Sequence, residues 1–202
     1  MSNLINIKPA ICAIALSVSI ISAPLNANAA SKSNAKIIDM LKNALPDIDE
    51  QYHVTQTKIL DLTGDKRPEM IIVTDWAGVS QVIYGVVNGE VKEICVIDHS
   101  DFDKVWKKSK VISSKGGHMG EQWVYHYRFE KGEYKLVAAK SAYGHYDDYV
   151  LNGINLSWDD LDRLGFCTYK IKGKKVSRKR YNAYIKELTR KDKKPRKLRF
   201  SE

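Results

Sequence analysis

The sequence predicts an α+β fold: a leading helix, an antiparallel β-meander sheet and short helices towards the C-terminus. Three observations predict it. Ile37, Ile38, Leu41 and Leu45 recur at helical spacing ahead of a series of β-type runs. Two pairs of those runs are joined by two-residue turn signals, Asn88-Gly89 and Lys131-Gly132. Two serines, Ser157 and Ser177, stand immediately before helical patterns.

The first thirty residues are set apart from that fold. Lys8 precedes an apolar run from Ala10 to Ala23, Pro24 breaks it, and Ala27-Asn28-Ala29 has the small-x-small form of a signal-peptidase site. Fourteen helical residues at ~1.5 Å each reach about 21 Å, short of a ~30 Å hydrocarbon core. The run therefore reads as a cleaved signal peptide over residues 1–29, with the mature chain outside the cytoplasm and without a transmembrane segment. Cys12 follows Ile11, which is too large for a lipobox. Residues 30–190 then form a single domain, followed by a basic tail over 191–202.

Within that domain, Asn34 to Leu45 is a short amphipathic helix ahead of Pro46. Lys58-Ile59-Leu60 leads into a turn at Leu62-Thr63-Gly64-Asp65, and Met70 to Val73 is a strand. Gln81–Val87 and Val91–Ile97 flank Asn88-Gly89, which suits a type I′ turn because both central residues need positive φ. A strand at Lys110-Val111-Ile112 precedes a Gly-rich loop reaching Gly120. A second hairpin pairs Trp123–Phe129 with Tyr134–Ala138, and its period-two pattern puts Trp123, Tyr125, Tyr127 and Phe129 on one face as packing residues. Near the C-terminus, Tyr149-x3-Gly153-x3-Ser157-x3-Leu161 matches Tyr169-x3-Gly173-x3-Ser177-x3-Tyr181. Each copy reads as strand, glycine turn, N-cap serine and helix, with Gly165 closing the first helix. Two copies do not make a solenoid.

The composition, with 28% charged residues, excludes a polytopic membrane protein, a collagen and a wholly disordered chain. The formal charge of +9 is a C-terminal property. Residues 170–199 carry fifteen Lys and Arg against two acids, Glu187 and Asp192. The end, Arg190 to Lys197, reads as a solvated flexible tail. Outside a cell such a tail meets an anionic envelope polymer, lipid headgroups, stray nucleic acid or a protein partner, and the alternative is a solubility tail with no dedicated partner. Specific nucleic-acid recognition is not expected, because no aromatic interleaving or known motif accompanies the cations. The mature chain keeps Cys95 and Cys167, whose pairing would close a loop of about 70 residues worth ~4 kcal/mol. Two separate core thiols are the alternative.

One constellation carries chemistry: Asp61-Leu62-Thr63-Gly64-Asp65-Lys66-Arg67-Pro68-Glu69. Side-chain oxygens of Asp61, Thr63, Asp65 and Glu69 fall at loop positions 1, 3, 5 and 9, and the Arg67 carbonyl fits position 7. Six to eight oxygens around one centre suit Ca²⁺. The alternative is an Asx-type turn whose carboxylates accept backbone N–H bonds. Through Asp61, Gly64, Asp65 and the acid at Glu69, the loop resembles the FG-GAP or VCBS calcium loop, Asp-x-Asn-Gly-Asp-Gly-x-x-Asp, and small exported bacterial proteins that carry a single such loop. The resemblance implies a Ca²⁺-ordered connection between strands. Thr63, Lys66 and Glu69 depart from its pattern, at an Asn/Asp, a Gly and an Asp position.

An enzyme would need a base, and His53, His99, His118, His126 and His145 are available. The densest neighbourhood is Gly144-His145-Tyr146-Asp147-Asp148. Asp98-His99-Ser100-Asp101 is adjacent in sequence, but neighbouring strand residues point to opposite faces. No His-Glu-x-x-His, Gly-x-Ser-x-Gly, phosphate loop or dinucleotide fingerprint occurs. The expectation is an exported, non-enzymatic binding or structural module with a Ca²⁺-ordered loop. The alternatives are a small secreted hydrolase using His145, Asp147 and Asp148, and an envelope protein held by its basic tail.

Overall fold

Two antiparallel sheets stack face to face between two helices in the computed structural model, which describes residues 32–75, 79–98, 100–118, 121–143 and 156–197. Helix α1 covers Lys32–Tyr52, longer than the sequence predicts, and passes through Pro46. A proline inside a helix costs about 3 kcal/mol through its missing donor and ring clash. The apolar stripe of Ile37 and Leu41 continues through Ile48 and Tyr52, all buried on the first sheet, and that burial offsets the cost. Beyond α1, His53 takes a left-handed φ of 51° and donates its N–H to the Asp49 carbonyl, while the Asp49 side chain accepts from Val54 N at 2.7 Å.

The first sheet runs β1 (Val54–Leu60), β2 (Glu69–Thr74), β3 (Val79–Val87) and β4 (Glu90–Asp98), paired in chain order. Its alternation divides two cores. Met70, Ile72, Val82 and Tyr84 face α1, while Ile71 and Ile83 face the second sheet. Asn88 and Gly89 turn the hairpin with φ of 54° and 85°, as type I′ requires.

The second sheet comprises β5 (Ser100–Trp106), β6 (Val111–His118), β7 (Glu121–Glu130), β8 (Glu133–Ala142) and β9 (Cys167–Ile171), with the two-residue β10 (Lys174–Lys175) and β11 (Arg196–Lys197) at its ends. Phe102, Val105, Ile112 and Tyr134 fill the space between the sheets. Tyr127 and Phe129 pack on that core from one face of β7, as the alternation of its aromatics predicts. Lys131-Gly132 and Lys172-Gly173 repeat the left-handed turn pair. The Gly-rich segment expected as a loop belongs to β6: Gly116 and Gly117 pair with Trp123 and Gln122, and a Cβ on Gly117 would stand 3.0 Å from the Glu121 carbonyl oxygen.

Helix α2 (Trp158–Arg163) is opened by Ser157 in a capping box with Asp160, and Gly165 follows it at φ 80°. Helix α3 (Arg178–Leu188) is capped by Ser177 and lays Tyr181 on Ala138 and Tyr169, on the outer face of the second sheet. The earlier part of the first repeat copy, including Tyr149 and Gly153, lies outside the described residues. Residues 191–197, expected as a flexible tail, return to the sheet. Asp192 accepts from Lys108 N, Ser109 N and the Ser109 hydroxyl, and β11 pairs with Val105 and Lys104. A carboxylate accepting three donors ties down a segment whose cations alone suggest a solvated chain.

Candidate functional site

The Asp61 loop joins β1 to β2 and closes on itself. Asp61 Oδ1 accepts from Gly64 N at 2.6 Å, and Oδ2 accepts from Lys66 N at 3.1 Å. The Lys107 ammonium, from the β5–β6 turn, stands 2.8 Å from the same Oδ2. Asp65 Oδ1 takes the Arg67 N–H at 2.8 Å. Glu69 reaches back from β2, accepting from Leu62 N at 2.7 Å and from the Thr63 hydroxyl at 3.2 Å. Gly64 and Lys66 are both left-handed, with φ of 75° and 70°. Leu62 and Thr63 are buried, and Asn34 of α1 donates to the Lys66 carbonyl at 2.7 Å. The loop thereby pins helix, first sheet and second sheet to one another.

This donor set fits a metal poorly. Both oxygens of Asp61 and of Glu69 are engaged by N–H, ammonium or hydroxyl donors, and Lys107 supplies a positive charge at Asp61. Among the described residues no three His, Cys, Asp or Glu side chains gather in a metal-holding group. Asp65 makes an Asx turn with the Arg67 N–H, two residues on, and Asp61 and Glu69 likewise accept backbone N–H groups of the loop. Burial pushes Glu69 up to about 7, helped by the charges of Asp65 and Asp61 and opposed by the Leu62 and Thr63 donors. It lines a cavity of about 330 Å³ with Asp65, Arg67 and Pro68.

Cys95 lies in the core between the sheets and Cys167 opens β9, and they are not joined in a disulfide. Each strand pairs within its own sheet, so the fold holds the two thiols on different layers. His145, Asp147, Asp148 and His99 lie outside the described residues. His53 is exposed at the end of α1. His126 is buried on β7, where desolvation pulls it down to about 4, with Lys104 adding to the shift. Its Nδ1 lies 3.4 Å from the Tyr181 hydroxyl of α3.

His126, one of the candidate bases, shares its face with a lysine cluster that sequence reasoning missed. Register aligns Lys104, Ser113, His126 and Ala138 across β5 to β8, and Lys115, Val124, Lys140 and Tyr169 across β6 to β9. Residues two apart share a face, so both rows lie on the outer side of the second sheet. Helix α3 covers part of that face, leaving a groove of about 650 Å³ between its Tyr181–Lys186 side and the strands. The only prior signal was the period-two spacing of single lysines on separate strands, and strand pairing is needed to assemble them. Comparison of the chain with protein-family models, curated proteins and solved structures finds no match.

Proposed function

We propose that the chain is an exported, non-enzymatic binding module acting at an anionic cell envelope. The observation that carries this reading is the cationic C-terminal layer. Lys172, Lys175, Lys179, Arg190, Lys194 and Lys197 are all exposed on elements docked to the second sheet. Cations on a rigid frame attract a polyanion without the ordering cost of a free tail. The amino-terminal apolar run with its Ala27-Asn28-Ala29 site supports export. The closed Asp61 loop supports a structural part for that segment, since its carboxylates already hold backbone donors.

The test is co-sedimentation of residues 30–202 with isolated envelope at increasing salt. Retention at low ionic strength and release towards ~0.5 M is expected, because exposed charges are screened over about 10 Å at 0.1 M and less at higher salt. Retention that ignores salt would sink the reading. Release of soluble envelope fragments during the incubation would favour the hydrolase alternative instead. The amino terminus of the recovered extracytoplasmic protein should begin at Ala30 or Ser31.

A further inference from the structure

The outer groove holds a chemistry that the envelope reading does not use. Among the described residues, four ammonium groups, Lys104, Lys115, Lys140 and Lys186, line it with one carboxylate, Asp103, which stands 3.2 Å from Lys104. Lys140 Nζ lies 3.7 Å above the Trp158 ring, a cation–π contact that fixes the ammonium in place. Its partial burial lowers its proton affinity, so it carries a poorly hydrated charge.

Ser113 is the second, independent observation. Its residue is 1% exposed, it lines the groove, and its hydroxyl has no hydrogen-bond partner among the described residues. A buried unsatisfied hydroxyl costs on the order of 1–3 kcal/mol, and a ligand oxygen relieves that cost. Among the described residues the groove is lined by lysines and by no guanidinium, and ammonium point charges are a common setting for phosphoryl oxygens. Trp106, Val124, Trp158 and Ile185 supply an apolar part, and the volume is that of a small-molecule pocket.

We propose that this groove binds a soluble phosphate monoester, with its phosphoryl oxygens on Lys140, the neighbouring ammonium groups and the Ser113 hydroxyl, and its organic body on the tryptophan side. No bond is made or broken. The groove residues are not those of the exposed cationic layer, although Lys197 of that layer pairs with Lys104 of the groove, and variants in each set let either reading fail alone.

Titration of the mature chain with glucose 6-phosphate, inorganic phosphate and glucose, followed by tryptophan fluorescence and calorimetry at roughly 0.15 M salt, tests it. The ester should bind saturably, about tenfold or more tighter than inorganic phosphate, and glucose should not bind. Lys140→Met and Ser113→Ala should each weaken the ester about tenfold. Ser113→Ala should leave the melting temperature unchanged or raised, because it deletes an unpaired buried hydroxyl, and this separates lost binding from lost folding. Lys172→Ala, on the β9–β10 turn, should leave ester binding unchanged. Absence of saturable ester binding at millimolar concentration overturns the proposal, as does binding that survives both groove variants. Equal affinity for inorganic phosphate and the ester overturns the assignment of an organic ligand.

Discussion

At Gly64 the positive φ of 75° and the neighbouring turn act together: a Cβ there would stand 2.8 Å from the Lys107 carbonyl oxygen. Both the left-handed backbone and the contact oppose a side chain. Gly64→Ala should therefore destabilise the chain by about 2 kcal/mol or more, read as a lower urea midpoint at unchanged slope. Asp61 faces Lys107 in a partly exposed pair, and such pairs contribute only ~0.2–1 kcal/mol. Its two backbone N–H bonds are the larger part of its role. Millimolar Ca²⁺ should leave the melting temperature unchanged, since a bound ion would have to displace those donors. A rise of several degrees would instead reveal mass-action stabilisation by the metal.

Element boundaries follow packing more than local composition. The return of the C-terminal segment depends on Asp192, whose carboxylate takes three donors at the β5–β6 turn. Asp192→Ala should release that segment, seen as faster amide exchange at Arg196, Lys197 and the β5 residues they pair with, while the exchange of β7 and β8 stays unchanged. The hairpins at Asn88-Gly89 and Lys131-Gly132 were legible because turn chemistry is local, and so were the serine caps. The backbone N–H bonds to the Asp61 and Asp65 side chains were legible for the same reason, as one of the two alternatives for that loop. Strand β5 was not, because Asp101, Asp103 and Lys104 break its alternation beside the register shift between Phe102 and Lys104. The length of α1 was hidden by Pro46, whose cost is offset only by the sheet beneath it. Lys107 and the groove lysines were illegible because their partners are set by tertiary pairing between distant strands.

Two buried titratable groups oppose each other across the whole molecule. Glu69, desolvated beside Asp61 and Asp65, is raised to about 7 from 4.5, so the folded chain keeps a proton that the unfolded chain has released. Its contribution to stability is present at low pH and is lost as pH rises through 7. His126, desolvated and faced by Lys104, Asp103, Lys140 and the Tyr181 hydroxyl, is lowered to about 4 from 6.5, so the folded chain lacks a proton that the unfolded chain binds. Its contribution is present above 6.5 and is lost as pH falls towards 4. Between 4.5 and 6.5 the two slopes cancel. Glu69→Gln should uncover a stability that climbs by about 1 kcal/mol per pH unit in that window, and His126→Gln should uncover the reverse slope. Chemical denaturation across that range reads both; a flat profile in Glu69→Gln would remove His126 from the balance, and a flat profile in His126→Gln would remove Glu69.

The second sheet ends on both sides in a strand of two residues, Lys174-Lys175 and Arg196-Lys197, and every one of the four is cationic. An open strand margin is a template on which a second molecule can add its own backbone, and short, charged margins frustrate that addition. Like charges on each rim disfavour its pairing with the same rim of a neighbouring copy. Removing the final segment would bare the flank of β5, and the price would be clumping in concentrated solution.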